Sequence, residues 1–204
     1  MLNILANVLN SSVKNLFKNQ ADVLLHTSAT TMTEWNLGHH LSNEIKKYIF
    51  WLNDDVDVSK RNYDNRRPDI IFHKRGIFDL DFLVVEVKRN KNDDRSDIGK
   101  IKNYWMKGRL NYNYGAYINI WNKDNYVGYV FDQQDNMKDI RDGKYINISS
   151  VSDLKYNQIN NMVIEVKEFE NNSNENINIE TELQEKVNSI ETMWKDIIEE
   201  NIEN

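Results

Sequence analysis

The stretch "LVVEVKRN" at residues 83–90 decides how the surrounding chain is interpreted. Its run of leucine and valine is typical of a buried β-strand, yet it also contains Glu86 and Lys88. Successive side chains of a strand alternate between the two faces of its sheet, so these two charged residues share one face and the odd-numbered apolar residues share the other. The pattern predicts a strand with one face in the core and a carboxylate and an ammonium group on the opposite face.

A second strand is predicted immediately upstream, in "RPDIIFH" at residues 67–73. The connection "KRGIFD" contains a glycine, which favours a β-hairpin, and Pro68 stands where a strand tolerates proline, at its first residue. A hairpin brings the carboxylate of Asp69 close to that of Glu86. Two carboxylates that share a half-buried place are most simply explained by a bound divalent cation.

The chemistry of this predicted site follows from its donor atoms. Oxygen ligands in a chain without cysteine favour a hard ion such as Mg²⁺ or Mn²⁺. The ammonium group of Lys88 could then hold or deprotonate a water molecule beside a phosphate, as in metal-assisted hydrolysis. The alternative is structural: Asp69 is satisfied by backbone amides at the start of a strand, and Glu86 and Lys88 form a charge pair on a solvated face.

"PDI" at residues 68–70 followed by "EVK" at residues 86–88 resembles the motif of the PD-(D/E)XK nuclease superfamily. The wider context resembles small bacterial members of uncharacterised role, because "DIGKI" and "YGAYINI" follow in the same order. The resemblance covers roughly residues 30–122. It implies an α/β domain with a restriction-endonuclease-like core, in which a central mixed β-sheet is flanked by helices, with an extra C-terminal helix.

The resemblance also implies roles for individual residues. Asp69 and Glu86 are expected to bind Mg²⁺ or Mn²⁺, and Lys88 to position the attacking water or the phosphate. The implied substrate is a nucleic acid, with DNA preferred and RNA left open. A catalytically silent binding or assembly module with the same fold is the alternative.

Many members of the superfamily add an acidic residue from the first core helix, and the candidates here are Glu34 and Glu44. At about 100° per helical residue, Glu34 lies at the centre of the apolar stripe of its predicted helix and Glu44 at the edge. The stripe consists of Leu37, Leu41, Ile45, Tyr48 and Leu52. Glu34 is therefore the predicted third catalytic and metal-binding carboxylate, although a capping box with Thr31 also fits "TMTE".

Three basic residues are candidate substrate contacts. Lys74 and Arg75 lie in the predicted hairpin turn, where they are either solvated or in contact with phosphates. Lys100 lies on the helix that follows the motif, at the lysine of "DIGKI". The histidines do not predict a zinc site, because the adjacent pair His39 and His40 would point about 100° apart on a helix.

The rest of the chain is predicted from periodicity and composition. Helices are expected at residues 2–17, from Thr31 or Thr33 to about Leu52, from Ser96 or Asp97 through "DIGKIKNYWMKGR", and at residues 183–197, where apolar residues recur at roughly heptad spacing. Further strands are expected at "YGAYINIW", "YVGYVFDQ" and "MVIEVKEF". The last of these contains a second "IEVK" at residues 164–167, which lacks a preceding proline-aspartate pair and is predicted to be a non-catalytic outer strand.

Composition sets the broader expectations. The chain has 204 residues and a net charge of −6, but residues 60–109 contain 14 basic against 8 acidic residues. A basic middle is compatible with nucleic-acid binding through one face. Residues 1–170 are predicted to form the nuclease-like domain, and residues 171–204 an acidic linker and an amphipathic helix that packs on the domain, self-associates as a homodimer or binds a partner protein. With no apolar membrane-length segment, a soluble cytoplasmic protein is expected.

Overall fold

A computed structural model describes residues 1–25, 34–56, 67–92, 95–107, 110–147, 153–172 and 177–203. In this part of the chain the fold is α/β, with a six-stranded mixed sheet flanked by helices. The predicted caps Thr31 and Thr33 and the middle of the predicted linker lie outside the described residues. Among the described helices, none combines the length and the apolar character that crossing a membrane requires.

The strands follow one another in the sheet in chain order, β1 to β6. The pairing of β3 with β4 is parallel, and every other pairing is antiparallel. Their bounds are β1 Asn53–Val56, β2 Ile70–Lys74, β3 Ile77–Lys88, β4 Tyr114–Asn122, β5 Asn125–Asp132 and β6 Met137–Asp139. The predicted hairpin is confirmed as β2 and β3, and two neighbouring parallel strands require the helical crossover that connects β3 to β4.

The helices are α1 Leu2–Asn19, α2 Ala21–Leu25, α3 Glu34–Lys46, α4 Ser96–Lys100, α5 Asp153–Asn172 and α6 Ile177–Glu200. A π-helix, Ile101–Met106, continues α4 directly, and a 3₁₀ turn covers Ile140–Asp142. The predicted helices at residues 2–17, 96 onward and 183–197 are confirmed in position.

Both faces of β3 are buried, by different elements. The odd-numbered residues Leu83, Val85 and Val87 belong to the large core formed with α1, α3, α5 and α6. Val84 belongs to a smaller core beneath the π-helix. Glu86 shares that second face and is fully buried, so the face predicted to be merely charged is covered.

The predicted end of the second helix at about Leu52 is wrong, because α3 ends at Lys46. The amides of Tyr48 and Ile49 both donate to the carbonyl of Ile45, and the chain then continues in turns. The physical reason lies in the run "YIFWL" at residues 48–52, since five consecutive apolar side chains cannot all lie on one face of a helix. Leaving the helix buries four of them, Tyr48, Ile49, Trp51 and Leu52.

The predicted strand at "MVIEVKEF" is also wrong, because these residues belong to α5. Ile159, Val163 and Val166 recur at helical spacing and are buried together, while Ile164 is exposed. β-Branched residues favour strands only weakly, and packing of one apolar face against α6 outweighs that preference. The second "IEVK" is therefore part of a helix, whereas the "EVK" at residues 86–88 is part of strand β3.

The C-terminal helix α6 is part of the same core as the sheet. Its stripe of Leu183, Val187, Ile190, Trp194 and Ile197 is buried, and the ring of Trp194 packs edge-on against Trp51 and Phe82. Of the roles predicted for this stripe, packing on the domain is the one the structure shows. The boundary placed after residue 170 lies within α5, which continues to Asn172.

Candidate functional site

The site is centred on the open end of the β2–β3 hairpin. Ile70 pairs with Val85, so continuing the antiparallel register by one residue places Asp69 opposite Glu86. Asp69 is held there by its own Oδ2, which accepts a hydrogen bond of 2.7 Å from the amide of Val87. The predicted pair of carboxylates is thus brought together.

Burial and proximity change the acidity of both groups. Desolvation raises the pKa of Asp69, although the Val87 amide and two nearby lysines oppose the increase. Desolvation, reinforced by the charge of Asp69, raises the pKa of Glu86 to about 7. A carboxylate with such a pKa exchanges its proton near neutrality and gains most from a cation placed beside it.

Glu86 is anchored by two donors from the crossover. Lys100 Nζ donates to Glu86 Oε2 at 2.9 Å, and Trp105 Nε1 donates to Glu86 Oε1 at 2.6 Å. In a regular α-helix, residues five apart point about 140° away from each other. The π-helix, whose hydrogen bonds join residues i and i+5, turns Lys100 and Trp105 toward the same carboxylate.

A close approach of the backbone permits this packing. Gly115 in β4 lies directly under the π-helix, and a Cβ there would meet Ile101 Cγ2 at 2.3 Å and Met106 Sδ at 2.6 Å. These distances are shorter than van der Waals contact, so a side chain at this position would push the π-helix off the sheet. The glycine of "YGAYINI" therefore positions Lys100 and Trp105.

Lys88 lies at the end of β3 on the same face as Glu86. Its Nζ is 3.2 Å from Glu34 Oε2 and 3.1 Å from Asp97 Oδ2. Burial by itself would lower the pKa of Lys88, but the contacts with Asp97 and Glu34 outweigh it and raise the pKa above the usual value. Lys88 is consequently a cation throughout the physiological pH range.

Glu34 is the acidic residue of α3 that reaches the site, as predicted. Besides its contact with Lys88, its Oε1 accepts a hydrogen bond of 3.5 Å from the amide of Arg89. Glu44 is instead buried on another side of the helix, where it accepts hydrogen bonds from Asn19 and Lys47. The helical phase thus distinguishes the two candidates.

An open cleft adjoins these groups. Its volume is about 350 Å³, and its lining includes Glu34, Lys88, Asn90, Ser96, Asp97 and Tyr117. One wall is fixed by a reciprocal pair of hydrogen bonds, in which Asn119 accepts from the amide of Asn90 at 3.0 Å and donates to its carbonyl at 2.9 Å. The cleft leaves the end of β3 open on this side.

Lys74 and Arg75, the other predicted substrate contacts, are not brought to this site. They lie at the closed end of the hairpin, where Lys74 pairs with Ile77, about four strand residues or 13 Å from Ile70. Arg75 forms an ion pair with Asp55 at 2.6 Å. Desolvation, together with Lys167 and Lys46, lowers the pKa of Lys74. A hairpin separates its turn from its open end, so both residues lie away from Asp69 and Glu86.

The residues present fit a divalent cation held by few protein ligands. In the described parts of the chain, no three histidine, aspartate or glutamate side chains converge as a ready metal cage. Mg²⁺, however, is commonly held by one or two carboxylates together with water and substrate phosphate. Four carboxylates (Glu34, Asp69, Glu86 and Asp97) are linked to two ammonium groups (Lys88 and Lys100), which leaves a net charge of −2 when all are ionised. That charge matches one divalent cation.

Comparison with known proteins adds no relative. No protein-family model, curated protein or solved structure matches this chain. The residues and their geometry therefore carry what is inferred about function.

Two side chains of the candidate site were missed from sequence. Asp97 was considered only as a helix cap, although its spacing of three from Lys100 places both on one helical face. Trp105 is buried, and its hydrogen bond to Glu86 depends on the π-helix, which no sequence pattern indicated.

Proposed function

We propose that this protein is a metal-dependent nuclease of the PD-(D/E)XK type that hydrolyses phosphodiester bonds, with DNA as its substrate. The observation that carries the proposal is the pair of the half-buried Asp69 and the fully buried Glu86, with Lys88 on the same face of β3 as Glu86. A buried carboxylate with a pKa raised to about 7 is costly to maintain. A buried carboxylate with a strongly raised pKa beside a cleft is typical of a functional site.

Asp69 and Glu86 are the residues that would hold Mg²⁺ or Mn²⁺, with Glu34 at the rim as a third oxygen donor. The cation, when bound, supplies Lewis-acid polarisation of a phosphate oxygen and activation of a water molecule. The Val87 amide orients the carboxylate of Asp69, and the Trp105 indole orients that of Glu86. Each donor occupies one oxygen of its carboxylate and leaves further lone pairs free to bind a cation.

Lys88 acts as a charge rather than as a base. Its raised pKa keeps the ammonium group protonated, so it cannot take a proton from water at neutral pH. It can donate hydrogen bonds to a phosphate and stabilise the negative charge that develops during hydrolysis. Asp97 and Glu34 hold the ammonium group at the cleft until substrate arrives.

Cleavage of supercoiled plasmid, linear duplex, single-stranded DNA and RNA tests the proposal. We expect hydrolysis with Mg²⁺ or Mn²⁺, none with EDTA, and a loss of at least about 100-fold in Glu86→Ala and Lys88→Ala. The second "IEVK" supplies matched controls, since Glu165→Ala and Lys167→Ala change the same residue types outside the site. Full activity of Glu86→Ala would refute the proposal.

One observation favours a second candidate, a silent binding or assembly module with this fold. Glu86 already has a cationic partner in Lys100, and Lys88 already has anionic partners in Asp97 and Glu34. The site is therefore partly neutralised by the chain itself. Calorimetric titration separates the two candidates, because absence of Mg²⁺ and Mn²⁺ binding would favour the silent module.

A further inference from the structure

Trp35 is an unusual tryptophan in this chain. Of the five tryptophans, Trp51, Trp105 and Trp194 are almost fully buried, whereas Trp35 is 55% exposed. An indole is large and mostly apolar, so leaving it in water costs free energy that folding does not recover. An exposed tryptophan next to a cleft is typical of a surface that binds something.

The orientation of this indole is fixed by a neighbour. The ring of His39, one helical turn later on α3, lies nearly parallel to it, with ring centroids 5.9 Å apart and an interplanar angle of 12°. The stack covers part of the indole and limits its rotation. A flat aromatic surface with restricted motion binds another ring at little entropic cost.

Its position relates this surface to the candidate site. Trp35 directly follows Glu34, so their Cα atoms are about 3.8 Å apart, and Glu34 contacts Lys88 and the Arg89 amide. Adjacent side chains of a helix point about 100° apart, so the indole lies beside the cleft that Glu34 and Lys88 line and is not part of its lining. A nucleotide next to a phosphate bound at Lys88 would extend past this side of the cleft.

We infer that Trp35, backed by His39, stacks on an unpaired base of a single-stranded DNA segment whose phosphate occupies the cleft at Lys88. The bases of a duplex have their faces covered by their neighbours, so a stacking surface selects single strands, ends or overhangs. This inference rests on the proposed nuclease function and adds a substrate class to it. Attraction between basic side chains and phosphates acts on single-stranded and double-stranded DNA alike, so it does not supply the preference for single strands.

Binding by fluorescence anisotropy tests the inference in the full-length protein. The probes are a fluorescein-labelled thymidine 12-mer, an abasic 12-mer with the same backbone, a 12-base-pair duplex and a uridine 12-mer. Each is titrated in EDTA, which prevents metal-dependent cleavage, and again with Ca²⁺. The variants are Trp35→Ala, Trp35→Phe and His39→Ala, and Phe78→Ala is the control, because Phe78 is 84% exposed on the hairpin.

We expect Trp35→Ala to weaken binding of the thymidine 12-mer by about 10- to 100-fold and to leave the abasic and duplex probes unchanged. Trp35→Phe keeps an aromatic face and should retain most of the affinity. The dependence of affinity on salt should stay the same in Trp35→Ala, since stacking releases no counterions. Phe78→Ala should bind all four probes as the unmodified protein does.

The outcomes separate this inference from the proposed function. Equal binding of the thymidine 12-mer by Trp35→Ala and the unmodified protein would overturn the inference, even if Glu86-dependent cleavage is observed. Trp35-dependent binding without cleavage of any substrate would support stacking and refute the nuclease. Tighter Trp35-dependent binding of the uridine probe would overturn the assignment to DNA, and no binding of any probe would overturn both.

Discussion

Trp105 donates its indole N–H to Glu86 Oε1 at 2.6 Å, in a bond that is buried and links the crossover to β3. The other oxygen of the same carboxylate accepts from the ammonium group of Lys100. A neutral indole keeps its proton at every accessible pH, whereas an ammonium group can be displaced by another cation. A divalent cation at this site would therefore replace Lys100 and leave the orientation set by Trp105 intact.

The first prediction concerns pH. The folded protein holds a proton on Glu86 up to about pH 7, above the ordinary value of 4.5. The folded state thus binds more protons than the unfolded state between these values, and the contribution of Glu86 to stability falls as the pH rises through this window. Glu86→Gln removes the effect. The quantity to compare is the free energy of unfolding of Glu86→Gln minus that of the unmodified protein. This difference should increase by on the order of 2 kcal/mol from pH 5 to pH 8.

Urea denaturation at several pH values measures this difference. A matched control is Glu165→Gln, an exposed glutamate of the second "IEVK". That variant should differ from the unmodified protein by the same amount at pH 5 and pH 8. A constant difference for Glu86→Gln as well would contradict a raised pKa.

The second prediction concerns Lys100. In Lys100→Met, Glu86 and Asp69 lose the ammonium group that lowers the pKa of both, so the variant should lose more stability between pH 5 and pH 8 than the unmodified protein does. Mg²⁺ should bind it more tightly, because no internal cation competes. Melting temperature with and without Mg²⁺ measures the effect, since a ligand stabilises in proportion to the logarithm of its concentration over Kd.

Lys102→Met is the control for that experiment. Lys102 lies on the π-helix but forms its ion pair with Asp135 at 3.4 Å, away from Glu86. It should show the same Mg²⁺ response as the unmodified protein. A Mg²⁺ response in Lys100→Met no larger than in Lys102→Met would count against competition at Glu86.

The third prediction concerns the glycine under the π-helix. Gly115→Ala introduces a Cβ that overlaps Ile101 and Met106, which should cost about 1–3 kcal/mol of stability. Cleavage should fall with it, because Lys100 and Trp105 shift relative to Glu86. Gly99→Ala is the control: a Cβ there meets no atom within 4 Å, and alanine favours a helix by up to about 1 kcal/mol. Equal stability of the two variants would contradict the close packing.

The fourth prediction concerns the C-terminal helix. Trp194 is fully buried and donates its indole N–H to the carbonyl of Tyr48 at 2.8 Å. Trp194→Ala should cost about 3–5 kcal/mol of unfolding free energy. Lys195→Ala, at an adjacent half-exposed position, should change it by less than about 0.5 kcal/mol. Deletion of residues 177–204 should abolish cooperative unfolding, and a stable truncated protein would show that α6 is an appendage.

The hairpin, the pairing of Asp69 with Glu86 and the orientation of Glu34 were predictable because each depends on a local period. Alternation in β3 places Glu86 and Lys88 on one face, and the helical phase separates Glu34 from Glu44. The helical conformation of residues 162–169 was not predictable in the same way. These residues fit both periods, and only the presence of α6 as a packing partner decides for the helix.

The sequence by itself determined the two strands of the hairpin, the acidic and basic side chains at its open end and the amphipathic character of the terminal helix. Each of these features depends only on residues within one helical turn or one strand. Only the tertiary structure decided that Lys100 and Trp105 both reach Glu86 and that Trp35 remains exposed. The contacts of Lys100 and Trp105 with Glu86 join residues from different elements. They depend on the π-helix and on the close approach at Gly115, which are consequences of packing.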